Sequence, residues 1–426
     1  MMRPNGRAFK DERVTIMAFG LTKKELSWVL YDVGNSAFVM LSTALIPVYF
    51  ASIADPGSSV VVAWGYAETV ASLVLALLMP VLGSLADLAG NKKKFLVGFA
   101  GTGAVACAAL GIPEHALVFL VVYVIAAIML NGSMVFYDAF LVDATTEERY
   151  DKVSSHGYAW GYIGSCIPFI ACLAVVLGGS SFGIDAKLGM KIAFIITAVW
   201  WVIFTVPVAK NVKQLHGKKR SDHVLRTTIS GLKGTVKSIM KDKRLLFFML
   251  AFFFYIDGVH TVIKMSTSYG TDLGIDSTQL VLALLVTQFV AFPSAIAYGN
   301  LAKRFGTKRM LKVGVLAYFF IVLFAAFFLK SAVEFWILAI CVGLFQGGIQ
   351  ALSRSEYGKL IPKEHANEYY GFFDIFGKYA AVMGTFLVSA FTQLTGSSSL
   401  GVLSIALLFI VGFLFLRAMP PMLGDS

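Results

Sequence analysis

Three side chains able to bind charge or pass a proton share one face of a strongly apolar stretch, residues 245–268. Asp257, His260 and Lys264 are spaced i, i+3 and i+7, so in a helix they point the same way. A carboxylate, an imidazole and an ammonium group together can hold a polar solute or relay a proton. Hydrogen bonding between packed helices is the plainer alternative for such residues.

Three other apolar stretches carry polar groups that also fall on single helical faces. Charged or strongly polar side chains are costly against lipid, so we expect them to face a bundle interior or a water-filled cavity. With the first three residues they form a candidate substrate cavity, although structural hydrogen bonding stays open for any single Asn or Gln. The additional members are Asp32, Asn35, Asn131, Asp138, Gln346 and Gln350.

Several carboxylates in these apolar stretches are candidates for proton coupling. A carboxylate in an apolar setting can take up a proton at accessible pH because burial disfavours its charged form. The candidates are Asp32, Glu68, Asp257 and Asp374. Asp374 also stands four residues before Lys378, which favours a structural ion pair within one helix.

The composition places all of these residues in a membrane. The chain has 426 residues, of which 58% are hydrophobic and only 14% charged, whereas a soluble domain has about a quarter of its residues charged. Twelve apolar segments each approach the roughly 17–25 residues that span a bilayer core. We place them near 28–50, 61–84, 95–112, 117–138, 154–178, 188–209, 245–268, 278–300, 311–329, 335–353, 367–394 and 399–417.

The distribution of Lys and Arg predicts the orientation of these segments. With the N-terminus inside, the inner connections hold 24 Lys and Arg residues, Arg354 and Lys359 among them, and the outer connections hold two. Positive charge concentrates in cytoplasmic loops, so both termini are expected in the cytoplasm of a multi-pass protein of the cell membrane.

The charge and hydropathy patterns also divide the chain. The connector of residues 210–244 carries eleven Lys and Arg and is expected to contact anionic lipid headgroups as well as to join two halves. The divisions are a cytoplasmic tail (1–24), an N-terminal six-helix half (25–209), the connector (210–244), a C-terminal six-helix half (245–417) and a second cytoplasmic tail (418–426).

Two connections at matched positions share a glycine and basic-residue spacing. Each lies between the second and third segments of its half, and the second copy has Lys303 where the first has an acid. The pattern resembles the loop signature of the major facilitator superfamily. The resemblance implies an all-α integral membrane protein of 12 transmembrane helices, in two six-helix halves with internal three-helix inverted repeats. The gating-loop residues are Gly83, Asp87, Gly90 and Lys92 in the first copy and Gly299, Gly306 and Lys308 in the second.

Four stretches resemble one family within that superfamily. They are residues 28–38 (WVLYDVGNSAF), 257–261 (DGVHT), 343–355 (GLFQGGIQALSRS) and 370–378 (YGFFDIFGK). Together they are similar to the bacterial "unknown major facilitator" family, which is similar to the fungal vacuolar amino-acid effluxers of autophagy. The resemblance implies secondary transport of a small molecule, with an amino acid or related metabolite as the expected solute.

Other function classes find little support in the sequence. No phosphate-binding loop, metalloprotease motif or paired-cysteine metal site occurs, so we expect neither an enzyme nor a cofactor or metal. The basic residues lie in short loops rather than in a nucleic-acid-binding motif. We therefore expect a monomeric secondary active transporter that moves a small polar solute by alternating access and is coupled to protons. The alternative is a non-transporting sensor or scaffold that retains the carrier fold.

Overall fold

The computed structural model describes residues 18–54, 60–218 and 224–421. Its regular structure is α-helical, with a few short 3-10 turns between helices. The α-helices are α1 (Lys23–Ala44), α2 (Ile46–Ile53), α3 (Val60–Ala86), α4 (Lys92–Ala109), α5 (Ala116–Ala139), α6 (Leu141–Ala144), α7 (Tyr150–Gly178), α8 (Ala186–Asn211), α9 (Val224–Lys241), α10 (Lys243–Asp272), α11 (Ser277–Phe305), α12 (Thr307–Phe328), α13 (Ala332–Leu360), α14 (Ala366–Thr395) and α15 (Ser398–Ala418).

Many of these helices fit a membrane. Within the described residues, nine helices are long and apolar enough to cross one, or ten when α1 and α2, which meet at a 44° bend, count as a single span. Large apolar side chains such as Leu77, Val105 and Leu177 are exposed on their outer faces, as lipid-facing residues are. Helices α4 and α14 lie where the third and eleventh segments are predicted, but the count of twelve spans stays a prediction.

Local sequence explains where several helices begin. Thr22 and Glu25 form a capping box at the start of α1, because each side chain accepts a hydrogen bond from the other residue's backbone N–H. Asp242 caps α10 by accepting from the N–H groups of Arg244 and Leu245. The connector thus ends at a cap, and α10 follows it directly.

One predicted boundary was wrong, and the difference matters for the site. The tenth apolar segment was expected to end near residue 353, which left Arg354 and Lys359 as loop cations. The structure continues α13 through Leu360, and Arg354 is buried within it. Hydropathy alone ends a segment at the first charge, whereas a helix continues wherever its charges find partners.

The helices form two sets with a repeated internal contact. We call α1–α8 the N-terminal set and α10–α15 the C-terminal set. In the first, Tyr31 on α1 donates a hydrogen bond to Ser133 on α5 at 2.6 Å. In the second, the hydroxyls of Tyr255 on α10 and Ser353 on α13 lie 2.7 Å apart. These buried pairs occupy equivalent places, in keeping with the repeat seen in the sequence.

One end of the bundle carries the turns around residues 87–91, 140–149 and 361–365, and we call it the basic end. The first part of the connector is bound there. Leu215 and His216 donate backbone hydrogen bonds to Asp143, both at 2.8 Å. The connector therefore lies on the N-terminal set before α9 begins.

Lys92 departs from its predicted setting. It was expected in a water-facing loop as part of the gating motif, but it is fully buried and its ammonium group lies 2.6 Å from Asp143. Burial alone would raise the pKa of Asp143, but Lys92 and the hydrogen bonds from His216 outweigh it and hold that pKa below its usual value. Lys92 is thus a structural cation that holds α4, the turn after α5 and the connector together.

Candidate functional site

A buried arginine on α13 joins the two helix sets. Arg354 on α13 is 1% exposed. Its Nη1 donates a 2.9 Å hydrogen bond to Asp138 on α5 and lies 3.5 Å from Asp32 on α1. A cation of the C-terminal set therefore lies between two carboxylates of the N-terminal set. We call Asp32, Asp138 and Arg354 the central ion cluster.

Helix α7 and three aromatic rings complete the setting of this guanidinium. Arg354 donates to the Ser154 hydroxyl at 2.9 Å and to its carbonyl oxygen at 3.0 Å. The guanidinium carbon lies 4.7 Å from the ring centre of Trp28, 5.3 Å from that of Tyr137 and 4.4 Å from that of Tyr158. Desolvated cation–π contacts of this kind stabilise a buried cation.

The central ion cluster carries more negative than positive charge. Two carboxylates face one guanidinium, and Asp374 on α14 is close enough to add to the negative field at Asp138. Asp32 is stabilised by hydrogen bonds from the Tyr137 hydroxyl at 3.0 Å and the Asn35 amide at 3.4 Å. The remaining negative charge favours binding of a cationic group, whether a proton or an ammonium group.

A glycine on α7 lets the cluster form. A Cβ atom at Gly157 would lie 2.8 Å from Arg354 Nη2 and 3.0 Å from Asp32 Oδ2. Any larger residue would push the guanidinium or the carboxylate aside. A glycine at this position therefore allows close approach of α7 to α1 and α13 within the site.

A second polar contact joins the sets nearer the basic end. Asp151 on α7 accepts from the Lys359 ammonium group at 2.7 Å, the Thr307 hydroxyl at 2.7 Å and the Ser355 hydroxyl at 2.5 Å. Three donors of the C-terminal set thus converge on one carboxylate of the N-terminal set. This convergence stabilises the contact of α7 with α12 and α13.

A third contact uses the first copy of the gating motif. Asp87 accepts from the backbone N–H groups of Asn367 and Glu368 at 2.9 and 3.0 Å and from the Asn367 side chain at 2.8 Å. It therefore caps the start of α14, where unpaired N–H groups and the helix dipole favour an anion. Lys218 of the connector reaches Glu368 at 2.6 Å and binds to the same place.

The matched glycines of the two motif copies lie at equivalent contacts. A Cβ atom at Gly83 would be 2.6 Å from the Asn367 carbonyl oxygen, and one at Gly299 would be 2.6 Å from the Ser155 hydroxyl. Each glycine thus lets the end of one helix touch the start of a helix in the other set. The turn glycines Gly90 and Gly306 have φ values of 82° and 87°, which favour glycine.

Asp87 gives a testable pH dependence. Burial raises its pKa from 3.8 to about 6, and the nearby cations and helix N-terminus offset this only in part. The folded protein then binds more protons than the unfolded chain between these pH values, so the contribution of Asp87 to stability falls as pH rises through this window. Across this window the contribution of Asp87 to the free energy of unfolding falls by an amount on the order of 3 kcal/mol. The substitution Asp87→Asn removes this pH-dependent contribution.

We expect Asp87→Asn to gain stability relative to the natural chain on going from about pH 4 to about pH 6.5, as measured by thermal unfolding in detergent. A difference between the two proteins that stays constant across this range would contradict the assignment of a raised pKa to Asp87.

The contacts between the two sets gather at one end. In the described part of the chain, the hydrogen bonds and ion pairs that join the sets lie between the basic end and the level of Tyr162, which donates to Gln350 at 3.3 Å. Towards the opposite end, Glu68 and Lys264 are exposed. The structure is therefore closed at the basic end.

Asp257 lies apart from the central ion cluster. It is fully buried between α10 and α14, and its Oδ1 accepts from the Gly384 backbone at 2.9 Å and the Thr261 hydroxyl at 3.3 Å. Among the described residues, no hydrogen-bond donor reaches its Oδ2. The sequence grouped Asp257 with His260 and Lys264 on one face of α10. In the structure, Asp257 makes no described contact with Arg354.

The other predicted residues are spread over several environments. Asn131 and Asn35 donate to backbone carbonyls of their own helices, at 2.7 and 3.0 Å. Glu68 accepts from the Tyr123 hydroxyl. Gln346 lines an apolar cavity within the C-terminal set. These contacts are structural in this conformation.

Two further predictions concern α14 and α12. The side chain of Lys378 lies outside the described residues, so its ion pair with Asp374 stays a prediction. Lys308, expected as the basic residue of the second gating loop, donates to the Met419 carbonyl oxygen at the end of α15. It holds α12 and α15 together.

Several of the residues that join the two sets were not predicted from the sequence to do so. Arg354 and Lys359 were counted as loop cations, and Asp151 and Ser154 were not singled out. A signal for Arg354 was available, since it stands eight residues after Gln346 and four after Gln350, on the same helical face.

Comparisons with known proteins agree with this architecture. Residues 57–422 match the family model described as "Vacuole effluxer Atg22 like". The MFS-type transporter YxiO of Bacillus subtilis is 46% identical over 408 residues, covering 94% of this chain and 95% of the relative. Autophagy-related protein 22 of Cryptococcus neoformans is 27% identical over 283 residues, covering 61% of this chain and 48% of the fungal protein.

Solved structures show the same fold. FucP, a major facilitator superfamily transporter in the outward conformation, has a TM-score of 0.72 at 14% identity, covering 94% of this chain and 99% of that one. The human organic anion transporter MFSD10 has a TM-score of 0.70 at 14% identity, covering 92% and 98%. At such identities the likeness concerns the fold alone.

Proposed function

The chain belongs to the Atg22-like vacuole effluxer family of the major facilitator superfamily, and on that premise we propose that it is a secondary active transporter of a small polar solute. Its relatives and structural neighbours are membrane transporters and not enzymes. The transport proposed is alternating access by two six-helix halves with twelve spans in total. Their relative motion exposes a central site to one side of the membrane at a time.

The central ion cluster is the observation that carries this proposal. Arg354 pairs with Asp32 and Asp138 across the boundary between the sets. Opening the basic end requires this contact to break, and breaking it leaves a buried cation and two carboxylates in need of partners. A solute that supplies those partners lowers the cost of the change, which ties solute binding to movement.

The charges of the cluster favour a solute that carries both signs. A guanidinium group binds carboxylates in a bidentate fashion, and Asp32 and Asp138 are suited to an ammonium group. A free amino acid or a related metabolite presents both groups within a few ångströms. The family is described as a vacuole effluxer, which supports the movement of a small solute across a membrane.

The closed basic end is proposed to face the cytoplasm. The Lys and Arg residues of the chain concentrate there, as expected for the inner side of a bacterial cell membrane. On this orientation the structure represents the outward-facing state. The exposed Lys233, Lys237 and Lys241 of α9 are then placed to contact anionic lipid headgroups.

A reversible cross-link across the basic end tests alternating access. Glu147 and Lys363 belong to different sets, are partly exposed and lie 3.7 Å apart at their charged atoms. We expect Glu147→Cys combined with Lys363→Cys, joined by a flexible thiol cross-linker with a reducible bond, to stop exchange of labelled amino acids in liposomes. Reduction should restore it, because the closed end can then open.

The control is each single cysteine variant treated in the same way, in a background where the four native cysteines are replaced by alanine. Exchange that continues while the two sets are cross-linked would contradict alternating access at this end. No exchange before or after reduction, for a broad set of amino acids and related metabolites, would instead favour the scaffold alternative.

A further inference from the structure

Asp257 has a feature that sets it apart from the other buried carboxylates described above. Its side chain is 0% exposed, and one of its two oxygens has no donor within reach among the described residues. Asp143 has Lys92 at 2.6 Å, and Asp138 has Arg354 at 2.9 Å. Each of those carboxylates has a cation within hydrogen-bond distance, whereas Asp257 has none among the described residues.

The groups around Asp257 do not supply the missing charge. On α10, Thr261 donates to Oδ1, His260 lies one turn along and Lys264 two turns along. Lys264 is the nearest Lys or Arg to Asp257 along α10, and it is exposed and does not reach hydrogen-bond distance of Asp257 Oδ2. Burying an ionised carboxylate with an unpaired oxygen is far costlier than burying a neutral acid.

The neighbouring helices add no described cation. Helix α14 contributes the Gly384 N–H, and the side chain of its Lys378 lies outside the described residues. Helix α15 packs the Phe409 ring against Gly258. Helix α13 contributes Ser353, which bonds to Tyr255.

We infer that Asp257 holds a proton on Oδ2 in this conformation and is the proton-binding site of the transport cycle. This inference rests on the proposed function and selects one of the four carboxylates that the sequence offered. Asp32 has Arg354 at 3.5 Å and accepts hydrogen bonds from Tyr137 and Asn35, so unlike Asp257 it is stabilised as an anion.

On this inference, the contact with Gly384 controls access to the proton. A Cβ atom at Gly384 would lie 2.7 Å from Asp257 Oδ1 and 2.1 Å from the Thr261 hydroxyl, so α10 and α14 touch at this point. Besides the movement of the two sets, proton release requires that α10 and α14 separate within the C-terminal set, so that water reaches the carboxyl group and takes the proton from Oδ2. When they close again on the other side of the cycle, burial requires the carboxylate to take a proton from water first.

Infrared difference spectroscopy of the purified full-length protein tests the protonation state directly. A neutral carboxylic acid has a C=O stretching band that a carboxylate lacks. At neutral pH we expect this band in the natural protein and its loss in Asp257→Asn. A spectrum in which the two proteins do not differ in this band would overturn the inference, whatever the protein transports.

Thermal stability gives a matched comparison that also needs no solute. An amide has nearly the shape of a protonated carboxyl group, so Asp257→Asn should unfold within a degree or two of the natural protein, an order-of-magnitude expectation for a small change in free energy. Asp143→Asn, which leaves buried Lys92 without its anion, should unfold several degrees lower. Equal losses in the two variants would show that Asp257 is ionised.

Transport in liposomes tests the coupling. For one proton per solute, a gradient of one pH unit supports an accumulation of about tenfold. In Asp257→Asn, labelled solute should reach equal concentrations on both sides and accumulate no further. Continued accumulation, or loss of all solute movement, would overturn the coupling role. Failure of the natural protein to move solute would count against the proposed function and leave the infrared result standing.

Discussion

Replacing Arg354 with glutamine is expected to abolish solute exchange and to lower the free energy of unfolding by about 3–5 kcal/mol. The change removes the cation from between Asp32 and Asp138 and leaves two carboxylates buried without compensation. It also removes the cross-set hydrogen bonds to Ser154. Exchange of labelled amino acids in liposomes and thermal unfolding in detergent measure the two effects.

Replacing the two carboxylates as well as Arg354 should rescue stability. Adding Asp32→Asn and Asp138→Asn to Arg354→Gln removes the unpaired negative charges, so much of the lost stability should return while exchange stays absent. Arg354→Lys should be intermediate, because an ammonium group cannot reproduce the planar guanidinium contacts. The control is Arg309→Gln, a loss of the same charge at an exposed position of α12, which should change neither quantity much.

Two results would contradict this account of Arg354. If Arg354→Gln unfolded at the temperature of the natural protein, the two carboxylates would have to be neutral, and no ion pair would stabilise the closed end. If exchange persisted at the natural rate, the central ion cluster would be a structural contact with no part in solute movement.

Arg354 also shows where prediction from the sequence stops. The spacing of Asp32, Asn131 and Asp138 on apolar stretches predicted polar groups facing the bundle interior, and the structure buries Asp32 and half-buries the other two. The partner of Asp138 lies 216 positions away along the chain. Nothing in local periodicity indicates which two helices meet, so a charge near the end of an apolar segment was assigned to a loop.

The gating motif shows the same limit of prediction from the sequence. Its repeated spacing singled out Gly83 and Gly299, and both lie at contacts between the two sets. The sequence did not indicate what they touch, because the contacted residues belong to α14 and α7. Lys92 belongs to the same motif and was assigned to water, yet it is buried with Asp143. A motif thus fixes positions along the chain, and only packing decides which of its charges are desolvated.

Replacing Gly83 with alanine is expected to shift the molecule away from the conformation closed at the basic end. The added Cβ would lie 2.6 Å from the Asn367 carbonyl oxygen and 2.9 Å from its carbon, and a backbone cannot turn aside as a flexible side chain can. Helices α3 and α14 must therefore separate. Overpacking of this kind costs about 1–3 kcal/mol, so the closed population should fall by roughly five- to 150-fold relative to the open one.

The matched substitution is Gly299→Ala, where the Cβ would meet the Ser155 hydroxyl at 2.6 Å and its Cβ at 2.7 Å. A serine side chain can rotate in part, so a smaller shift is expected there. Gly98→Ala is the control, because a Cβ at this position of α4 has no neighbouring atom within 4 Å. In a helix it should be neutral or slightly stabilising.

Distances between spin labels on the two sets at the basic end report the closed and open populations directly. In the natural protein we expect the short distance to dominate, and in Gly83→Ala the long one should gain. If Gly83→Ala kept the short distance at the same population as Gly98→Ala, the contact between Gly83 and Asn367 would have to accept a methyl group without separation of α3 and α14. The closed end would then depend on its ion pairs alone, and the effect of Arg354→Gln should be correspondingly larger.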